Sequence, residues 1–225
     1  MNLRLEFELE KNELPINYRE AVISFFKKSI ESYSKELFEN IYDKKNNISK
    51  SYTYSVYLPN PVFKDNILLS NNFFYIKFST YDYKDLIIYY NAFLKQKHKK
   101  FSLNNNSIRL ISLSFIKIKE PKTEEINIKM MSPLVIRDHD INSNKDNYIL
   151  YNDKNFNEIL NRNNGYKFYI EPIAPKKTII KIFDLYIPAN LGIYKLKSDL
   201  ETLDKLTLGG IGSKRNMGFG HFKVL

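Results

Sequence analysis

The sequence predicts an α+β protein of two tandem ferredoxin-like (RRM-like) domains, each an antiparallel sheet with its helices on one face. Three observations lead there. Residues 3–119 switch between two-residue and helical hydrophobic periods in the order strand, helix, strand, strand, helix, strand, which is the ferredoxin-like unit. Residues 121–225 repeat that order less clearly, and the polar Glu120-Pro121-Lys122 stretch separates the two passages. The expected domains are therefore residues 1–120 and 121–225, the second carrying a glycine-rich loop at 209–220.

In the first half, Leu3, Leu5, Phe7 and Leu9 alternate with Arg4, Glu6, Glu8 and Glu10, the period of a half-buried strand. Pro15 precedes Val22, Phe25, Phe26, Ile30, Tyr33, Leu37, Phe38 and Ile41, which recur every three or four residues and predict one helix from about Asn17 to Ile41. A polar Lys- and Asn-rich loop follows at 44–50. Tyr52, Tyr54, Val56 and Leu58 predict a second strand stopped by Pro59 and Pro61, and Phe74, Ile76 and Phe78 a third. Asp82 to Lys95 reads as the second helix and Ile108 to Lys119 as a long fourth strand.

In the second half, Glu125 to Met131 reads as a strand and Asp153 to Asn163 as a short helix behind a polar loop. Lys177–Tyr186 and Gly192–Lys197 read as a hairpin around Pro188-Ala189-Asn190. Ser198 to Leu206 reads as a helix capped by Ser198, and Met217 to Leu225 as the closing strand.

A hydrophobic fraction of 43% is enough for a real core and excludes a disordered chain. No uninterrupted apolar run reaches the roughly 18 residues of a membrane span, and the alternating N-terminus is the wrong pattern for a secretory signal. Cysteine is absent, which removes disulfides, thiolate zinc sites and cysteine nucleophiles together and suits a cytoplasmic protein. The formal charge of +10 points to a polyanionic partner, even after allowing for the lysine that an A+T-rich genome adds. Tyr and Phe interleave with the lysines and offer stacking surfaces for unpaired bases as well as core material.

The segment Gly210-Ile211-Gly212-Ser213-Lys214-Arg215-Asn216-Met217-Gly218-Phe219-Gly220 concentrates the chemistry. Its glycines permit positive φ and close backbone approach, exposed amides in such a loop can face phosphate oxygens, and Lys214 and Arg215 place two cations at the tip. A dinucleotide-binding loop does not fit, because no strand–loop–helix unit surrounds it and the chain ends in a strand.

Gly, hydrophobe, Gly, five residues, Gly, hydrophobe, Gly, near the end of a double ferredoxin-like chain, resembles the CRISPR repeat-RNA endoribonucleases of the RAMP superfamily. Pro15-Ile16-Asn17-Tyr18 looks like that family's start of helix one, Ser51-Tyr52-Thr53-Tyr54-Ser55 like its second strand, and Lys197–Leu208 like the helix leading into its loop. The resemblance implies a cofactor-free, metal-independent cut within the repeat of a CRISPR precursor transcript. The ribose 2′-hydroxyl attacks the adjacent phosphorus and leaves a 2′,3′-cyclic phosphate and a 5′-hydroxyl. Candidate partners are the repeat RNA, a multi-subunit interference complex and a second copy of the chain.

In that family a loop histidine, a helix-one tyrosine and a lysine before strand two often carry the chemistry. The stretch Asp43-Lys44-Lys45-Asn46-Asn47-Ile48-Ser49-Lys50 has no histidine. Lys50 stands where the family's lysine would, Lys44 aligns near the missing histidine, and Lys27 near the tyrosine, with Tyr33 and Tyr42 as other candidates. His98 and His139 are expected in exposed polar turns, and His221 as a strand residue. Candidate RNA contacts are Lys28, Lys176, Lys177 and Lys181, together with Gly210, Gly212, Ser213, Lys214, Arg215, Asn216, Gly218 and Gly220. The missing histidine also keeps open a non-catalytic RAMP subunit that holds guide RNA in an effector complex. A generic single-strand RNA-binding module is the third reading.

Overall fold

The computed structural model describes residues 2–42, 50–103, 105–183 and 185–225. Its contacts divide the chain into two compact units, residues up to Ser51 with Val56–Ile116, and Tyr52–Ser55 with Lys117–Leu225. Among the described residues no helix is long and apolar enough to cross a membrane.

Up to Ile116 the chain runs β1 (Asn2–Leu9), β2 (Glu13–Pro15), α1 (Tyr18–Tyr33), α2 (Lys35–Tyr42), β3 (Tyr52–Tyr57), β4 (Val62–Phe63), β5 (Asn66–Leu68), β6 (Phe73–Thr80), α3 (Tyr83–Gln96), β7 (Lys100–Leu103) and β8 (Asn106–Ile116). The main sheet has the order β3-β6-β1-β8-β7, with β1 antiparallel to both β6 and β8. Setting aside the edge strand β7, this is the ferredoxin-like order. The alternation read in the sequence is realised: Leu3, Leu5, Phe7 and Leu9 are buried on one face, against Val22, Phe25, Phe26 and Ile30 of α1 and Leu86, Tyr89, Ala92 and Phe93 of α3. Phe7 stacks on Phe74 at 5.0 Å and meets Phe25 edge-on at 5.0 Å. Each such pair adds about 0.5–1.5 kcal/mol beyond the area it buries.

The expected single helix over 17–41 is in fact two. Ser34 is extended (φ −154, ψ 123), its N–H still closes α1 on Ile30, and its Oγ accepts the Leu37 N–H at 3.2 Å as the cap of α2. A serine oxygen competes with the backbone for helical N–H groups, so a serine inside a helical pattern can end one helix and start another. The helix expected from Asp82 starts where the sequence places it: Asp82 accepts the N–H groups of Lys84 (2.7 Å) and Asp85 (3.2 Å).

The second unit adds β9 (Glu125–Met130), β10 (Arg137–Asp140), β11 (Lys145–Tyr148), α4 (Phe156–Asn164), β12 (Tyr169–Ile182), β13 (Leu185–Lys197), α5 (Leu200–Gly209) and β14 (Phe222–Val224). Its sheet order, β12-β13-β9-β14, places the four strands as in the first unit, and β10 and β11 form a separate two-stranded ribbon. The main core joins Ile126, Ile128, Ile159, Leu160, Tyr194, Leu196, Leu203 and Leu206. A smaller one lies under the far end of the long β12–β13 hairpin, where Ile180, Ile182, Ile187 and Ala189 pack with Val135 and Phe219.

Four local features differ from what the sequence predicts. Pro188-Ala189-Asn190 is not a turn but the interior of β13, paired with Thr178 and its neighbours, and the chain reverses at Phe183 (φ +50). Asn190 is fully buried and its amide is committed to tertiary bonds, which overrides its turn preference. The α5 cap is Asp199, whose carboxylate accepts the Thr202 N–H at 2.8 Å, while the Ser198 hydroxyl donates to the Lys167 carbonyl. The closing strand is only Phe222–Val224, because Arg215–Met217 form a 3-10 turn and Gly218 and Gly220 hold positive φ. His139 lies in strand β10 rather than a loop.

Candidate functional site

The break at Ser34 builds the most distinctive feature of the first unit. On one continuous helix Lys27 and Tyr42 would stand about 22 Å apart along the axis. With the chain redirected into α2, the Lys27 ammonium lies 5.4 Å from the centre of the Tyr42 ring, and the Lys50 ammonium 4.9 Å from it. The Tyr42 hydroxyl is 3.5 Å from that of Tyr89. Burial, and then the Lys27 charge, hold the Lys50 amine below the usual lysine range. Next to Lys50, the Ser51 hydroxyl lies 2.6 Å from the Thr80 hydroxyl and donates to the Asp85 carboxylate at 2.5 Å, which ties down the start of β3.

Of the five residues singled out for catalysis, Lys27, Lys50 and Tyr42 thus come together. Tyr33 does not share their face: six residues past Lys27 on α1, it projects about 120° away around the helix. Lys44 lies outside the described residues.

In the second unit the glycine-rich segment follows α5. The amides at both ends of the segment bond within the protein rather than facing outward. The N–H groups of Ile211, Gly212, Ser213 and Gly220 donate to Gly220 O (2.9 Å), Asn164 Oδ1 (2.8 Å), Val135 O (2.7 Å) and Pro133 O (2.8 Å). Those of Gly210 and Gly218 go to Leu206 O and Arg215 O. The glycines are architectural: a Cβ on Gly212 (φ +84) would fall 2.4 Å from the Val135 carbonyl oxygen. Ser213, Lys214, Arg215, Asn216 and Met217 form the partly exposed stretch between the buried glycines. Lys214 is itself in the left-handed region (φ +56), and burial, then the neighbouring Arg137 charge, lower its proton affinity.

The remaining lysine candidates are exposed. Lys28 pairs with Glu31 at 2.9 Å, one turn along α1. Lys177 and Lys181 share one face of β12 and lie over the rings of Tyr151 (5.6 Å) and Tyr186 (5.9 Å), while Lys176 projects from the other face. His98 occupies the turn after α3 with φ +64. His221 is buried just before β14, in keeping with a structural residue.

Residues 116–224 match the family model described as CRISPR associated protein Cas6, C-terminal. That part of the chain belongs to the Cas6 C-terminal family. A search of curated proteins finds no match. Among solved structures, a RAMP protein described as binding different RNA substrates is similar at 20% identity and TM-score 0.83, covering 100% of this chain and 99% of that one. A Cas6-related protein from Pyrococcus furiosus has 19% identity and TM-score 0.80, covering 100% and 99%. A Cas6 product complex has 15% identity and TM-score 0.70, covering 100% of both chains. At these identities the likeness is one of fold, the double ferredoxin-like arrangement. The match over residues 116–224 connects that part of the chain with CRISPR RNA processing.

Proposed function

We propose that this protein cuts CRISPR repeat RNA within its precursor transcript by attack of a ribose 2′-hydroxyl on the adjacent phosphorus, with no divalent metal taking part. The convergence of Lys27 and Lys50 on Tyr42 is the observation that carries this reading. In the reaction the O2′–P bond forms and the P–O5′ bond breaks. The 2′-hydroxyl proton passes to a base, and the leaving 5′-oxygen receives a proton.

Lys50 is the better base of the two lysines, because burial and the Lys27 charge both favour its neutral amine. Lys27, close to the same ring, offsets the negative charge that builds on the phosphorane oxygens. Tyr42 positions both by cation–π contact, worth about 0.5–1 kcal/mol per exposed pair. Exposed lysines, among them Lys28, Lys176, Lys177 and Lys181, hold the RNA backbone, and Lys214 and Arg215 contact phosphates by side chain rather than through the loop amides.

The test is incubation of the purified protein with its repeat RNA in EDTA, followed by analysis of product ends. A 2′,3′-cyclic phosphate and a 5′-hydroxyl are expected; a 3′-hydroxyl product, or cleavage only with added metal, overturns the mechanism. One observation favours a second reading, a non-catalytic RAMP subunit that retains guide RNA: residues 43–50 contain no histidine. Tight RNA binding with no cleavage under any condition supports that reading instead.

A further inference from the structure

The two-stranded ribbon β10–β11 carries a charged cluster that the proposed chemistry does not use. Arg137 and His139 are two residues apart on β10 and share a face, with Tyr148 and Asp146 directly opposite them on β11. Arg137 Nε lies 2.7 Å from Asp146 Oδ1, His139 Nδ1 lies 2.8 Å from the same oxygen, and Arg137 Nη2 lies 3.1 Å from His139 Nδ1. These contacts cannot all be hydrogen bonds. If Nδ1 carries a proton it donates to Asp146 and repels the guanidinium N–H; if it does not, it accepts from Arg137 and leaves Asp146 without that donor. The Arg137 Nε contact is also out of hydrogen-bond alignment despite its short distance. One carboxylate oxygen thus faces two cationic side chains whose mutual contacts it leaves incompletely satisfied.

The other ribbon carboxylates do not relieve this. Asp138 is paired with Arg162, and Asp140 accepts from the Asn142 N–H and the Ser143 hydroxyl. Meanwhile the glycine-rich segment is fastened to the ribbon. The Arg137 N–H lies 2.9 Å from Asn163 Oδ1 and 3.2 Å from Ser213 Oγ, and the Ser213 hydroxyl donates to Asn163 Oδ1 at 2.5 Å. That fastening brings Lys214, half-buried, within electrostatic reach of Arg137, with Asp146 as the opposing carboxylate.

We propose that Arg137, His139 and Lys214 form a contact point for an RNA phosphodiester, at which Asp146 is an incomplete internal substitute for the phosphate. A phosphate brings several acceptor oxygens, enough for the guanidinium fork, the imidazole N–H and the ammonium together. The inference rests on the RNA-binding part of the proposed function and is independent of cleavage.

The test is fluorescence anisotropy with labelled repeat RNA across a KCl series. Arg137→Gln raises Kd about three- to tenfold and makes the log–log salt slope shallower by about 0.7, the value for one single-strand phosphate no longer neutralised. Asp146→Asn, which keeps the shape and removes the competing charge, lowers Kd by about two- to fivefold. A damaged fold does not tighten binding, so this second variant remains decisive if the first is destabilised. Wild-type protein that binds RNA, with Arg137→Gln or Asp146→Asn at wild-type Kd and slope, overturns the contact point alone. Wild-type protein that binds no RNA overturns the RNA-binding reading and the contact point with it.

Discussion

Gly220 and Ile211 lie backbone to backbone: the Ile211 N–H donates to the Gly220 carbonyl at 2.9 Å, and a Cβ on Gly220 would fall 1.8 Å from the Ile211 carbonyl oxygen. With φ at +70, Gly220 also sits where an L side chain is strained. Gly220→Ala is therefore expected to destabilise the protein by about 2–5 kcal/mol, combining left-handed strain with overpacking. Urea unfolding measures this, and a variant as stable as wild type would show that the segment shifts freely to make room.

The charge of Lys27 helps to keep the Lys50 amine below the ordinary lysine value of 10.5, second to burial. Lys27→Ala removes that repulsion and raises the Lys50 pKa. The ascending limb of the cleavage-rate profile, set by neutral Lys50, then moves to higher pH. Stability has its own sign: the unfolded chain binds the Lys50 proton more tightly, so this group's contribution rises with pH between its lowered folded value and 10.5. A limb that stays in place in Lys27→Ala would remove Lys50 from the role of base.

Ser34 separates α1 from α2, and Tyr42 reaches Lys27 only because of that separation. Ser34→Ala deletes the cap, at a cost of about 0.5–2 kcal/mol, and favours a continuous helix. Cleavage is expected to fall more than RNA affinity, while helical circular dichroism holds or increases. Equal losses in rate and affinity would mean that Tyr42 serves binding alone.

The two sheets were legible because strand alternation at Leu3–Leu9 and helical spacing at Val22–Ile30 each report burial directly. The lysine–tyrosine cluster was only partly legible. Lys27, Lys50 and Tyr42 could each be named by resemblance, but their meeting depends on one serine whose helix-ending role is not visible in the hydrophobic period. Asn190 misled for a related reason: its turn preference is local, whereas the bonds that hold it in β13 come from residues far along the chain. The glycine-rich segment was identified correctly as a place of close backbone approach, yet its amide partners, Val135, Asn164 and Pro133, could not be read from spacing.

Lys214 and Arg215 are the cations at the partly exposed part of that segment. The double Lys214→Ala, Arg215→Ala change is expected to weaken repeat-RNA binding and to reduce the salt slope by about 0.7 for each phosphate that is no longer neutralised. An unchanged slope with weaker binding would assign the pair a structural role in the segment.

Asn190 holds three passages of the second unit at once. Its side-chain oxygen accepts the Tyr151 N–H at 2.8 Å, its amide donates to Ile149 O at 3.1 Å and Leu134 O at 3.4 Å, and its backbone exchanges hydrogen bonds with Leu134 in both directions. The residue is fully buried, so truncation brings in no water to replace those partners. Asn190→Ala leaves the Tyr151 N–H and the Ile149 carbonyl unsatisfied, at about 1–3 kcal/mol for each buried group. Asn190→Asp keeps the Tyr151 acceptor but sets a carboxylate against two carbonyl oxygens, and is expected to cost at least as much near neutral pH. Because protonation relieves that repulsion, acidification should narrow the gap between Asn190→Asp and wild type. Equal urea midpoints for wild type and both variants would show that the Leu134 backbone pair alone holds β13 in place.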